Sequence, residues 1–122
     1  MLDSWQLMGS EYSTVIVRAK VYFLTPEEGG RSHPVSPLDP GQEPYFVLAD
    51  LGLGYTEDGL PIRSIVRVDP EGGPGYIELG VEQTVQIMLN RIEGVVIEPG
   101  VSFDLAEGAK VVARATVVSV LE

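Results

Sequence analysis

Cysteine is absent from this sequence, so disulfide staples, thiolate nucleophiles and cysteine-ligated metals are excluded. The absence fits a reducing compartment. Histidine occurs once, at His33, which excludes a histidine-clustered metal site and leaves one residue around which any catalytic triad would have to form. His33 lies in the loop-type stretch Arg31-Ser32-His33-Pro34 and reads as solvent-facing. Ser32 beside it adds no geometry, because adjacent side chains rarely point together. No apolar run approaches the roughly 18 residues of a membrane span. Met1 to Tyr12 lack the basic start and apolar core of a signal peptide. A cytoplasmic location is the expectation, with no membrane partner.

Phosphate-binding sequences are missing too. There is no Gly-x4-Gly-Lys-Ser/Thr loop, and Gly52-Leu53-Gly54 is too little for a dinucleotide fingerprint, so it reads as a turn. Basic residues are scarce: 8 against 18 acidic ones, for a net charge of -10. An acidic surface repels phosphate backbones, so nucleic acid is not an expected partner. Such a field favours basic protein partners or metal cations, or serves solubility alone. Glu27 and Glu28 are adjacent rather than facing across a cleft, and read as a solvated rim. Glu57-Asp58 and Asp69-Pro70-Glu71 lack the spacing of a calcium loop. No cofactor, metal or catalytic residue is expected.

What is present is β periodicity. The chain has 122 residues, 44% of them hydrophobic, enough for one ordinary core. Val15, Val17, Ala19, Val21 and Phe23 alternate with polar neighbours, the period of a half-buried strand. Val85, Ile87 and Leu89 repeat the pattern. So do Ala113, Ala115 and Val117 within a long strand from Lys110 to Val120. There the phase blurs at Val117-Val118, which predicts a bulge. Shorter strands are expected at Tyr45 to Ala49, Ile62 to Val68, Tyr76 to Leu79 and Val101 to Ala106. Between them lie turn-forming stretches at Glu28 to Arg31, Pro37 to Pro44, Asp69 to Gly75 and Glu107-Gly108. No segment of helical length carries a 3.6-residue stripe. The expectation is an all-β chain closed into an antiparallel barrel, because closure removes exposed edges. Residues 14–122 form that barrel, and residues 1–13 form a tail or pairing arm whose Trp5 either packs on the barrel or awaits a partner.

One block is more specific. The run Ala19-Lys20-Val21-Tyr22-Phe23-Leu24-Thr25-Pro26-Glu27-Glu28-Gly29-Gly30-Arg31, then His33-Pro34-Val35, resembles the opening of the third domain of elongation factor Tu. Pro44-Tyr45-Phe46-Val47 is similar to that family's aromatic second strand. Residues Pro99 to Gly108 are similar to its fifth strand and turn. The resemblance implies a closed six-stranded antiparallel barrel without catalytic residues, normally the C-terminal module of a GTPase. It also implies contacts through Glu28, Gly29, Gly30, Arg31, Gly108 and Lys110. The sequence departs from the pattern at several places. Gly108-Ala109-Lys110 replaces a second glycine-glycine-arginine, and Ala113-Arg114-Ala115 replaces a run of small residues. Glu43 stands where the family often has glutamine, and Gly52 to Gly59 reads as an insertion. These departures argue against tRNA contact. Arg31 is expected to bond loop carbonyls or a carboxylate such as Glu27, and Gly29 and Gly30 to serve backbone angles other residues resist. Two functions compete: a protein-binding module for a GTPase or translation component, and an acidic antagonist or immunity-type protein that neutralises a basic protein.

Overall fold

The computed structural model describes residues 14–35, 45–71, 77–92 and 94–121. The expected arm at 1–13, the turn from Pro37 to Pro44, the Gly72 to Gly75 part of another turn, Glu43 and Tyr76 lie outside the described residues.

Six strands follow in chain order: β1 (Thr14–Phe23), β2 (Tyr45–Ala49), β3 (Ser64–Pro70), β4 (Glu82–Asn90), β5 (Ser102–Glu107) and β6 (Lys110–Val120). They close in the order β1-β4-β3-β2-β5-β6, with β6 pairing back on β1 and every pair antiparallel. The all-β, closed six-stranded barrel read from the sequence is therefore the fold. Its inward residues are those the alternation singled out. Val15, Val17, Ala19, Val21 and Phe23 of β1 are buried, as are Val85, Ile87 and Leu89 of β4 and Ala113, Ala115 and Val117 of β6. Six strands give a barrel narrow enough for such side chains to fill. Every buried residue among those described is apolar.

The bulge at Val117-Val118 is present. Arg18 faces Ser119 while Ala19 faces Val117, which leaves Val118 unpaired and outward. A second irregularity was not evident in the sequence. Leu105 faces Ala113 and Ala106 faces Val111, so Val112 is the extra residue, and consecutive Val112 and Ala113 are both buried.

Two strand expectations need correction. The third strand begins at Ser64 rather than Ile62, because the Ile62 N–H donates to the Gly54 carbonyl of the preceding loop. Within Tyr76 to Leu79 the described residues make isolated bridges instead of a strand. Ile77 exchanges both backbone bonds with Val35, at 3.1 and 2.6 Å, and Leu79 lies parallel to Phe23. Ile77 and Val35 are nonetheless fully buried and close one end of the core. That end also holds the start of β2, the β5–β6 hairpin and the segment after β1, and it carries the site described next.

Candidate functional site

After β1 the chain turns sharply. Thr25 caps a short 3-10 turn over Pro26–Glu28: the Glu28 N–H donates to its hydroxyl, and the Glu28 carboxylate takes the Thr25 N–H at 2.8 Å. This reciprocal arrangement is encoded by the Thr-x-x-Glu spacing, with proline at the first turn position where no N–H is needed. The Tyr22 hydroxyl also donates to Glu28, at 3.0 Å. The Thr25 N–H, followed by the Tyr22 hydroxyl, holds the Glu28 carboxyl below its ordinary range. Reciprocally, the Tyr22 phenol is pushed up by its bond to the Glu28 carboxylate.

The two glycines that follow have different reasons. Gly29 ends the turn in the left-handed region, at φ 91°, with open space around it. Gly30 is instead a contact residue. A Cβ there would lie 2.1 Å from the Leu24 carbonyl oxygen, and Gly30 has no left-handed φ. The expectation that a backbone angle explains both glycines is corrected at Gly30: close approach of two backbone segments requires it.

That approach places Arg31. Its Nη1 pairs with the Glu107 carboxylate at the end of β5, and its Nε donates to the His33 carbonyl at 3.0 Å. The expected loop carbonyl is present, but the carboxylate is Glu107 rather than Glu27. Glu27 sits exposed on the 3-10 turn. Tyr45 completes the group. Its hydroxyl donates to Glu107 Oε2 at 2.6 Å, and the Arg31 guanidinium lies 5.5 Å from its ring centroid. The ring also meets Phe23, at 6.1 Å between centroids. Burial, then the neighbouring carboxylate, pushes the Tyr45 phenol well above its ordinary value. Arg31 and Glu107 are 24% and 35% exposed, so the pair is partly desolvated and holds its geometry better than a surface pair.

Gly108 begins the two-residue turn of the β5–β6 hairpin, and Lys110 faces Glu107 across it. The Gly108 carbonyl accepts from Arg63 Nη1 at 3.2 Å. The structure thus brings the Glu28–Arg31 loop and the Gly108–Lys110 hairpin onto one rim, clamped by Arg31 and Glu107. Sequence reasoning missed Tyr45, Glu107, Thr25 and Arg63. The capping spacing was a readable signal for Thr25. Nothing local announces Glu107, which meets Arg31 from 76 positions away. No protein-family model and no curated protein matches the chain.

Proposed function

We propose that this barrel is a non-enzymatic, cytoplasmic protein-binding module, similar in build to the third domain of elongation factor Tu, whose client is a GTPase or another translation component. The single observation that carries the reading is the rim. The Glu-Glu-Gly-Gly-Arg block, where the resemblance is most specific, is fixed beside the β5–β6 hairpin by the Arg31–Glu107–Tyr45 cluster. A rim whose side chains are already ordered loses little freedom on docking, which favours recognition of a folded partner. A core made of packed aliphatic and phenylalanine side chains further supports a scaffold that presents its loops rather than an interior ligand.

The test is affinity capture from native cytoplasm at low salt, with a high-salt wash and mass spectrometry. Recovery of a GTPase, a tRNA-handling protein or ribosomal components is expected, with loss after Arg31→Glu and Lys110→Glu together. Failure to recover any translation component ends the reading. The second reading, an acidic antagonist, is favoured by the net charge of -10. Recovery of one basic protein, released by salt, decides for it.

A further inference from the structure

The barrel closes least completely between β2 and β5. That ladder consists of Leu48 opposite Ala106 and Ala49 opposite Leu105, continued by the Asp50 N–H donating to the Asp104 carbonyl at 3.1 Å. Backbone groups alternate sides along a strand, so Phe46, two residues before Leu48, turns its N–H and C=O toward the same seam. The register would set Gly108 opposite Phe46. Gly108, however, is already in the hairpin turn, and its carbonyl takes the Arg63 guanidinium instead. Among the described residues no backbone partner completes the ladder at Phe46. Beside this open edge lies a groove of about 350 Å³, lined by apolar Phe46, Leu48, Ile65 and Ala106 together with Glu107, whose carboxylate is held by Arg31. Phe46 and Ile65, diagonal neighbours on the outer face of β2 and β3, are 49% and 43% exposed. An apolar floor next to a strand edge that no described residue pairs is the geometry that takes up an extended segment as an added strand.

Charge selects the occupant. Arg18, Lys20, Arg31, Arg67 and Arg114 each pair with a carboxylate. Arg63 and Lys110, both at the hairpin beside the groove, make no ion pair among the described residues; Lys110 faces Glu107, but that carboxylate is held by Arg31. The chain is strongly acidic overall, yet this seam is locally cationic. Screening confines exposed charges to about 8 Å at physiological salt, so a docked segment feels the local pair more than the remote net charge.

We propose that the β2–β5 seam binds an extended, acidic protein segment with aliphatic side chains at alternating positions, as an added strand along Phe46. This rests on the reading of the chain as a protein-binding module and names the chemistry of its partner. The added strand completes the bonds of Phe46, sets one row of side chains on Phe46 and Ile65, and places carboxylates near Arg63 and Lys110.

The test titrates the 15N-labelled full chain with two capped peptides, three Glu-Val repeats and three Lys-Val repeats, and follows amide shifts and hydrogen exchange. The expected result is saturable movement at Phe46, Val47 and Gly108 with the acidic peptide, and affinity about tenfold weaker for the basic one. Arg63→Glu reverses that preference. Phe46→Ser weakens both peptides, with thermal unfolding confirming that the variant remains folded. Equal affinity for both peptides, or shifts elsewhere, overturns the proposal. So does slow exchange of the Phe46 amide in the free chain, which means the edge is already covered. Dilution then tells a second copy from the chain's own residues 36–44. If capture recovers a translation component whose binding survives Phe46→Ser and Arg63→Glu, this inference fails while the broader reading stands. If the peptide binds at the seam and capture recovers no translation component, the seam stands and the translation assignment fails.

Discussion

Replacing the adjacent glycines one at a time separates two physical causes that the sequence presents as a single motif. In Gly29→Ala the new methyl meets nothing within 4 Å, so the cost is that of an L-residue held at φ 91°. That is about 1–2 kcal/mol, and Gly29→Asn costs less because asparagine tolerates the left-handed region. In Gly30→Ala the methyl falls 2.1 Å from the Leu24 oxygen and 2.5 Å from its carbonyl carbon, so one backbone must move by roughly 1 Å. Neither is free to move. The Leu24 N–H donates to the Val112 carbonyl at 2.8 Å, and the Gly30 N–H donates to the Thr25 carbonyl at 2.8 Å. Relief costs one of these bonds and displaces Arg31 from Glu107. Each net bond is worth about 1 kcal/mol and the partly buried, charge-assisted pair about as much again, for a total of about 2 kcal/mol. Urea denaturation followed by circular dichroism measures both variants, with an unchanged slope showing that the stability difference is in the folded state. Gly30→Ala within about 0.5 kcal/mol of the parent, or less damaging than Gly29→Ala, would refute the close-approach argument.

Other consequences follow from the same rim and core. Tyr45→Phe removes a 2.6 Å bond to Glu107 and costs about 1–2 kcal/mol; a double-mutant cycle with Glu107→Gln gives a coupling of at least about 0.5 kcal/mol, and additivity would count against the cluster. Because the folded state raises the Tyr45 phenol above its ordinary value of 10.0, its stabilisation is complete below that pH and declines as pH rises beyond it. Tyr45→Phe should therefore show a shallower loss of stability than the parent as pH rises above that value. Glu28 has the opposite sign. Its carboxyl is held below the ordinary 4.5, so its contribution is present above that pH and disappears as pH falls through the lower folded value. Acid titration of Glu28→Gln should show a shallower loss of stability in that window. Ile77→Ala, at a buried residue outside the named strands, costs about 2–4 kcal/mol; a smaller loss means that this end of the core is loosely packed.

The strands and their inward faces were legible because period-2 alternation is a local property, and burying one face leaves little choice of register. Val15 to Phe23, Val85 to Leu89 and Ala113 to Val117 needed no other information, and the broken phase at Val117-Val118 located a bulge. Closure could be argued from the number of strands and the cost of exposed edges. Glu28 to Arg31 and Glu107-Gly108 were legible as turns for the same reason, since turn chemistry is read over a few positions, whereas only the family resemblance singled out Glu28 to Arg31 and Gly108 to Lys110 as contacts. Contacts distant along the chain were decided by tertiary structure alone. No pattern around Arg31 or Glu107 encodes that they meet, because strand order brings the end of β5 beside the segment after β1. Gly30 looked like a conformational glycine until Leu24 stood against it. The open edge at Phe46 has the same origin. The length of β2, the position of the β5–β6 turn and the bulge at Val112 are each local, but the backbone they leave without a partner among the described residues exists only once the barrel has closed.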